Sequence, residues 1–410
     1  MSTAAPVEVQ AAATEDASIG ALLRARWEAF KGGDVGSLPV IVGVIAITIF
    51  FTSKSNIFFT AVNFSNLIQQ MAGVTVIAIG VVFVLLIGEI DLSIGYVSGL
   101  AGVIVAELQV AGSNHDYPGL IAIAAALGAG AAIGALQGSF IALIGVPSFV
   151  VTLAGLLIWQ GVILKALGSE GVIGIQDHQI NDVANYVLTK NTGWIVAIVF
   201  AVGYGLAVFG TYVSRKRAGL PAGNVIVAVA RVVFFGGLAF VAVAVCNHYR
   251  GVPLVGLIVL FLTVLGSYVA GRTTFGRHVY AVGGNAEAAR RAGINVKLIR
   301  IFVFMISGGM AAMGGIIFAS RLNSVDLTAG GGTILLDSIS AAVIGGVSLF
   351  GGRGRVSGAL FGGLIIGMIA NGIDLVGYTD AVKYITTGII LLAAVTLDTV
   401  ARRRQQAAGR

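Results

Sequence analysis

Stretches of about 20 apolar residues, nearly free of charge, recur along this chain, and they constrain its fold more than any other feature. A helix of that length matches the roughly 30 Å hydrocarbon core of a bilayer. Read against the charged breaks, the apolar runs fall near residues 38–53, 67–89, 93–110, 119–145, 147–167, 193–213, 225–246, 253–271, 298–319, 333–350, 356–377 and 382–400. Charged residues make up only 10% of the chain, against about a quarter in a soluble domain. The predicted fold class is therefore an all-α integral membrane protein with about twelve transmembrane helices. An even number of crossings places both termini on one side.

The cations choose the side. With a cytoplasmic N-terminus, inner segments collect Arg24, Arg26, Lys31, Arg215, Lys216, Arg217, Arg272, Arg277, Arg290, Arg291, Lys297, Arg300, Arg353, Arg355 and Arg402–Arg404. Outer segments keep Lys54, Lys190, Arg250 and Arg321, with Lys165 and Lys383 near the outer ends of their spans. This is the bias of the positive-inside rule, so the net charge of +7 reports loop topology and not nucleic-acid binding. The expected organisation is a cytoplasmic tail over 1–37, a transmembrane region over 38–400 and a cytoplasmic tail over 401–410. Inside the tail Ile19, Leu22, Leu23, Trp27 and Phe30 repeat at helical spacing. They suit an amphipathic helix, either on the inner membrane surface or against the protein's own cytoplasmic face.

Small residues point to close packing. The Gly128–Gly134 run carries glycine and alanine at helical spacing, which lets helix backbones approach in lipid. Pro39, Pro118 and Pro253 each open an apolar run, where a proline is tolerated. Cys246 is the sole cysteine, which rules out an intrachain disulfide. His115, His178, His248 and His278 show no metal-ligand spacing, no GxxxxGK[ST] loop is present, and no nucleophile–base constellation stands out. An enzyme is not expected, nor a bound metal or cofactor. The segment 169–192, holding Asp177, His178, Asn181 and Asp182, is among the longest between spans and could meet an external partner.

Two runs differ from the rest. Residues 93–110 and 333–350 are short, bear glycine and serine, and start beside Asp91 and Asp337. Each fits a broken or re-entrant helix, tolerable where its backbone is buried in protein or lines a cavity. One lies in each half of the chain, which suggests an internal (inverted) repeat with a pathway at its interface. Asp91 before Ser93, and Asp337 before Ser338, stand where a helix dipole favours negative charge. A structural capping role and a substrate contact are both open to them. Glu89 and Asp374 are the other acids near span ends.

The loop over residues 272–297 has internal design. Gly283 and Gly284 permit a sharp turn, Asn285 is a capping residue, Ala286–Ala292 favour helix, and Gly293 supplies a stop. The result is a helix of about two turns outside the lipid, carrying Glu287, Arg290 and Arg291. An ordinary solvated loop helix and a docking element are both consistent with it.

The spacing of Glu287, Ala288, Ala289 and Gly293 resembles the coupling-helix signature of ABC-importer permeases. Three more segments, Gly88–Gly95, Val146–Leu153 and Leu336–Gly354 continuing through Asn371-Gly372 to Asp398, resemble the ribose/galactoside/xylose class of that family. The similarity covers roughly residues 58–168 and 253–400. Two features depart from the shorter ribose-type members: Glu89, where those more often have a small residue, and an extra apolar hairpin near 193–246. The hairpin is similar to the longer xylose-type permeases.

The resemblance implies a multi-pass subunit of the cell inner membrane, working as a homodimer. A cytoplasmic ATP-binding subunit would bind and hydrolyse ATP, and an extracytoplasmic sugar-binding protein would deliver a monosaccharide such as xylose. Gly283, Gly284, Asn285, Glu287, Ala288, Ala289, Arg290 and Gly293 would then couple to the ATP-binding subunit. Asp91, Ser93, Asp337, Ser338 and Asn371 become candidates for the pathway or its interrupted helices. The rival reading is a stand-alone secondary carrier of about twelve spans, which would need a coupling-ion site in mid-membrane. A channel or structural subunit would need a polar stripe along several spans, and none is evident.

Overall fold

The computed structural model describes residues 38–110, 116–168, 170–220 and 223–407. The amphipathic pattern of the 1–37 tail lies outside the described residues. In chain order the elements are α1 (Leu38–Lys54), α2 (Ala61–Leu86), α3 (Ile94–Leu108), α4 (Gly119–Ser139) with a π-helical turn at Phe140–Ile144, α5 (Ser148–Leu167), β1 (Val172–Gly174) and α6 (His178–Asn185). Then come α7 (Lys190–Arg217), α8 (Val225–Tyr249), α9 (Leu254–Arg272), α10 (Thr274–Gly284), α11 (Ala286–Arg291) and α12 (Val296–Leu322). The last are β2 (Ser324–Asp326), α13 (Ile334–Ile344), α14 (Gly358–Val376) and α15 (Asp380–Ala407).

Each apolar run of the sequence holds a helix. Among the described residues nine helices are long and apolar enough to cross a membrane, and three further apolar helices are shorter. Two of the short ones are α3, with 15 residues, and α13, with 11. At 1.5 Å per residue they reach only about 22 and 16 Å, less than a hydrocarbon core. The run at 333–350 therefore does not continue as helix to its end. Gly345 and Gly346 stop it, the second with φ +88°, a left-handed conformation that only glycine adopts cheaply. Pro118, Pro147 and Pro253 stand one residue before their helices, and Pro39 lies in the first turn of α1.

The chain divides into two compact units. The larger comprises residues 40–186 and 253–400, with α12 at its centre against α2, α3 and α4. Lipid gives helices no hydrophobic reason to associate, so contact area and hydrogen bonds must hold them. Small residues supply the area. Cβ atoms built on Gly130 and Gly134 of α4 would strike the carbonyl oxygens of Gly308 and Phe304 on α12, whereas Gly128 of the same run faces open space. A polar clasp adds to this: Asn63 and Asn371 exchange reciprocal amide bonds of 2.8 and 2.9 Å, and Asn371 also donates to Gln70 at 2.9 Å, joining α14 to α2.

The segment expected as an outer loop at 169–192 is largely folded. β1 pairs antiparallel with β2, Ile173 opposite Val325. Asp177 caps α6 by accepting from the N–H groups of Gln179 (2.8 Å) and Ile180 (3.1 Å). The smaller unit contains the hairpin α7–α8 within residues 187–252. Its helices meet through ring contacts such as Trp194–Phe240 and Tyr204–Phe235, and Asn247 donates to the Lys190 carbonyl at 3.1 Å.

Candidate functional site

The charged loop folds into two successive helices that meet at an elbow. Thr273 opens α10 by accepting from the Gly276 N–H at 3.1 Å. Gly283 and Gly284 are not the turn expected from sequence; they are the last two residues of α10. The bend falls on Asn285 (φ −162°, ψ 101°), whose Oδ1 caps α11 by accepting from the Ala288 N–H at 2.9 Å. At the far end the Ile294 N–H bonds to the Ala289 carbonyl and the Gly293 N–H to that of Arg290, both at 3.0 Å, with Gly293 at φ +85°. That is a complete Schellman stop. Buried Ala289 turns α11's apolar side inward.

Glu287 faces out. It accepts from Arg290 at 2.8 and 3.0 Å and from Arg291 at 3.0 Å, and all three side chains are more than half exposed. The bonds from Arg290 and then Arg291 hold its carboxyl below the usual range.

The glycine pair has a different use from the one expected. A Cβ on Gly283 would collide with the Leu86 carbonyl oxygen and stand 2.6 Å from the Gly352 nitrogen, while one on Gly352 would stand 3.0 Å from the Gly284 Cα. The Gly352 N–H donates to that Leu86 carbonyl at 2.8 Å, and Tyr280 donates to the Gly354 carbonyl at 2.8 Å. Three glycine-bearing segments thus interlock: the elbow, the end of α2 and the turn at 351–354. Only residues lacking Cβ allow backbones this close.

Directly beyond lies the first interrupted segment. α2 ends at Leu86, and the chain stays non-helical until α3 starts at Ile94. Glu89 pairs with Arg300 of α12 at 3.1 Å. Buried Asp91 accepts from the Ser93 N–H at 3.0 Å and the Ser93 hydroxyl at 2.7 Å, and its other oxygen accepts from Ser307 of α12 at 3.1 Å. Ser93 Oγ also lies 3.0 Å from the Gln137 amide oxygen. Its single proton goes to the carboxylate, and buried Gln137 Nε2 and Trp159 Nε1 are left without partners. The reverse amide orientation gives Gln137 Nε2 to Ser93 and turns the oxygen toward the space by Gly155 that Trp159 Nε1 borders.

The second interrupted segment is organised differently. Asp337, in the first turn of α13, accepts from the hydroxyls of Thr333 (2.6 Å) and Thr387 (3.1 Å) and, among the described residues, from no backbone N–H. Ser338 bonds back to the Ile334 carbonyl at 2.8 Å. Asp91, Asp337 and Asn371 share no partner, so the candidate pathway residues form three clusters and not one site.

Sequence reading missed a cavity of about 520 Å³. It is formed by α3, the last turns of α12, β2, the loop to α13 and the start of α15. No motif announces it, because three distant stretches of chain contribute, 98–102, 315–334 and 380–384.

The family described as "Branched-chain amino acid transport system / permease component" matches residues 63–395. The xylose transport system permease protein XylH of Escherichia coli (strain K12) is 36% identical over 366 residues, 89% of this chain and 92% of that one. XylH of Haemophilus influenzae is 34% identical over 374 residues, 90% of this chain and 98% of that one. The ribose import permease protein RbsC of Escherichia coli (strain K12) is 32% identical over 359 residues, 88% and 92% of the two chains. No solved structure gave a significant match.

Proposed function

The chain belongs to the family of branched-chain amino acid transport system permease components, and we propose that it is the membrane-spanning subunit of an ATP-driven monosaccharide importer in the bacterial inner membrane. Its relatives carry the names of xylose, ribose and fructose permeases, with xylose first. The substrate proposed is therefore xylose or a related pentose or hexose. The proposed partners are a cytoplasmic ATP-binding subunit, an extracytoplasmic sugar-binding protein and a second copy of this chain.

The observation that carries this reading is the elbow. It presents an exposed, doubly capped helix bearing Glu287, and it is fused through backbone contacts to the end of α2. A partner gripping α11 would pull on Leu86, on the 351–354 turn and on the start of α12 together. Closure of an ATP-binding pair would move these parts as rigid bodies and alternate the opening of the pathway.

Twelve crossings with both termini cytoplasmic are part of the proposal. In support, α3 starts by the elbow's neighbours and ends at Gln109, which bonds to Gly174 and Gln176 around β1. β1 pairs with β2 beyond the far end of α12. The inverted repeat has support in element order. A long helix, a short helix and two long helices occur as α2–α5 and again as α12–α15. The first series begins its short helix on the elbow side, the second on the opposite side.

Reconstituting the chain with its neighbouring ATP-binding and sugar-binding proteins tests the proposal. ATP-dependent uptake of labelled sugar is expected, with a panel of pentoses and hexoses fixing the substrate. Uptake by the chain alone, driven by an ion gradient without ATP, would establish the carrier reading instead.

A further inference from the structure

We infer that the cavity between α3, α12, the 327–333 loop and α15 is a low-affinity transit site for a neutral monosaccharide, an inference that rests on the importer reading above. Its place is set by α12. That helix starts beside the elbow at Val296, and the cavity is lined by Gly315 to Leu322, which lie about 28–39 Å further along it. The site is therefore at the extracytoplasmic end, where a delivered sugar would enter.

Its chemistry selects the ligand. Phe318 and the Gly330–Gly332 backbone form part of the wall. Against these stand the Asp326 and Asp380 carboxylates, the Thr328 hydroxyl and the Tyr384 phenol. Asp326 Oδ1 is fixed by accepting from the Thr328 N–H at 2.8 Å and its hydroxyl at 2.6 Å. Among the described residues, no protein donor reaches Asp326 Oδ2 or either oxygen of Asp380. Ionised carboxylates accept and never donate, so they call for a ligand rich in hydroxyl donors. No lysine, arginine or histidine lines the cavity. An amino acid, a sugar acid or a sugar phosphate would bring an anion with nothing to pair it. A pentose or hexose brings hydroxyls for the carboxylates, and the volume lies within the ordinary range of about 300–1,000 Å³ for ligand sites.

The sole cysteine makes a direct test practical. In a Cys246→Ala background, Thr328→Cys is placed in the assembled transporter in right-side-out vesicles and labelled with an impermeant maleimide. Millimolar D-xylose is expected to slow labelling at least fivefold, D-xylonate is expected not to, and a control Glu170→Cys is expected to be indifferent to both. Adding Asp380→Asn should raise the D-xylose needed for half-protection at least tenfold. Labelling that D-xylose does not slow, equal protection by D-xylonate, or unchanged half-protection in Asp380→Asn overturns the inference. Sugar uptake by the unlabelled wild-type complex is measured alongside. If it imports sugar and the cysteine is unprotected, only the transit site is wrong; if it imports none, the importer reading falls and takes the site with it.

Discussion

Replacing Asp91 separates a structural acid from a ligand-binding one. Its two oxygens serve three donors: the Ser93 N–H, the Ser93 hydroxyl and the Ser307 hydroxyl. In Asp91→Leu all three lose their acceptor inside the bundle. The hydroxyls have alternatives. Ser93 can donate to the Gln137 amide once that side chain turns its oxygen to the atom position 3.0 Å away. Ser307 can bond back into its own helix as Thr75 and Thr263 do, at 2.7 and 2.8 Å to their i−4 carbonyls. The Ser93 N–H has none. One orphaned buried donor costs about 1–3 kcal/mol; with the charge-assisted bonds also lost, the total is about 2–5 kcal/mol. Asp91→Asn keeps an oxygen for Ser93 and sets its amide against Ser307, whose hydroxyl can accept. It gives up mainly charge assistance, about 1 kcal/mol. Membrane yield, thermal unfolding and sugar uptake should therefore rank wild type, then Asn close behind, then Leu far below. Asp337, held by two threonine hydroxyls, should rank its Asn and Leu variants in the same order. A well-folded Asp91→Asn or Asp337→Asn protein with no transport would refute the reasoning, because charge and not hydrogen bonding would then be the requirement.

Glu287→Lys removes the exposed carboxylate that Arg290 and Arg291 share; normal insertion with loss of sugar-stimulated ATP hydrolysis is expected, and wild-type stimulation would remove the docking role. Gly283→Ala puts a Cβ into the Leu86 carbonyl, so it should lower both thermal stability and stimulated hydrolysis, whereas Gly128→Ala, in open space, should change neither. In a Cys246→Ala background, Arg217→Cys should label only from the cytoplasm and Glu170→Cys only from outside; labelling of both from one side would displace α7 from the membrane and end the twelve-crossing count.

How much of this was legible in the sequence depends on the range of the interaction concerned. The helices were, because span length and charge are local properties: the run at 298–319 became α12 (Val296–Leu322) and that at 225–246 became α8 (Val225–Tyr249). The cap at Asn285 and the stop at Gly293 were legible for the same reason. α10 was missed although its signal was present. Thr273 is an N-cap residue, and Phe275, Val279 and Val282 follow at spacings that bury one face. Long-range features were not legible. Nothing in Val172–Gly174 names Ser324–Asp326 as its partner strand. Nothing in Gly283-Gly284 distinguishes a turn from a surface that must admit the backbone at Gly352. The same holds for the acids. Sequence placed Asp91 and Asp337 at helix starts, but only the fold shows one serving a backbone N–H and the other two threonine hydroxyls.

The fates of the acids near the span ends bear on where the energy for transport comes from. A carrier driven by an ion gradient needs a carboxylate free to take up a proton or a cation and release it again. The four acids singled out near the span ends are occupied by protein: Glu89 by Arg300, Asp91 by Ser93 and Ser307, Asp337 by Thr333 and Thr387, and Asp374 by Lys383 at 3.0 Å. Breaking the sets around Asp91 and Asp337 during a cycle would orphan buried donors at about 1–3 kcal/mol each. The elbow has the opposite character. Its charged face is exposed, its ion pairs are local to one short helix, and its backbone contacts reach the ends of α2 and α14's preceding turn. On the proposed importer reading, a force applied there would meet glycine-on-glycine contacts and pass to α12 at the two side chains, Arg300 and Ser307, that hold the break around Asp91. In that proposal the acids hold the shape of the parts they join, and the elbow is where the ATP-binding partner would move them.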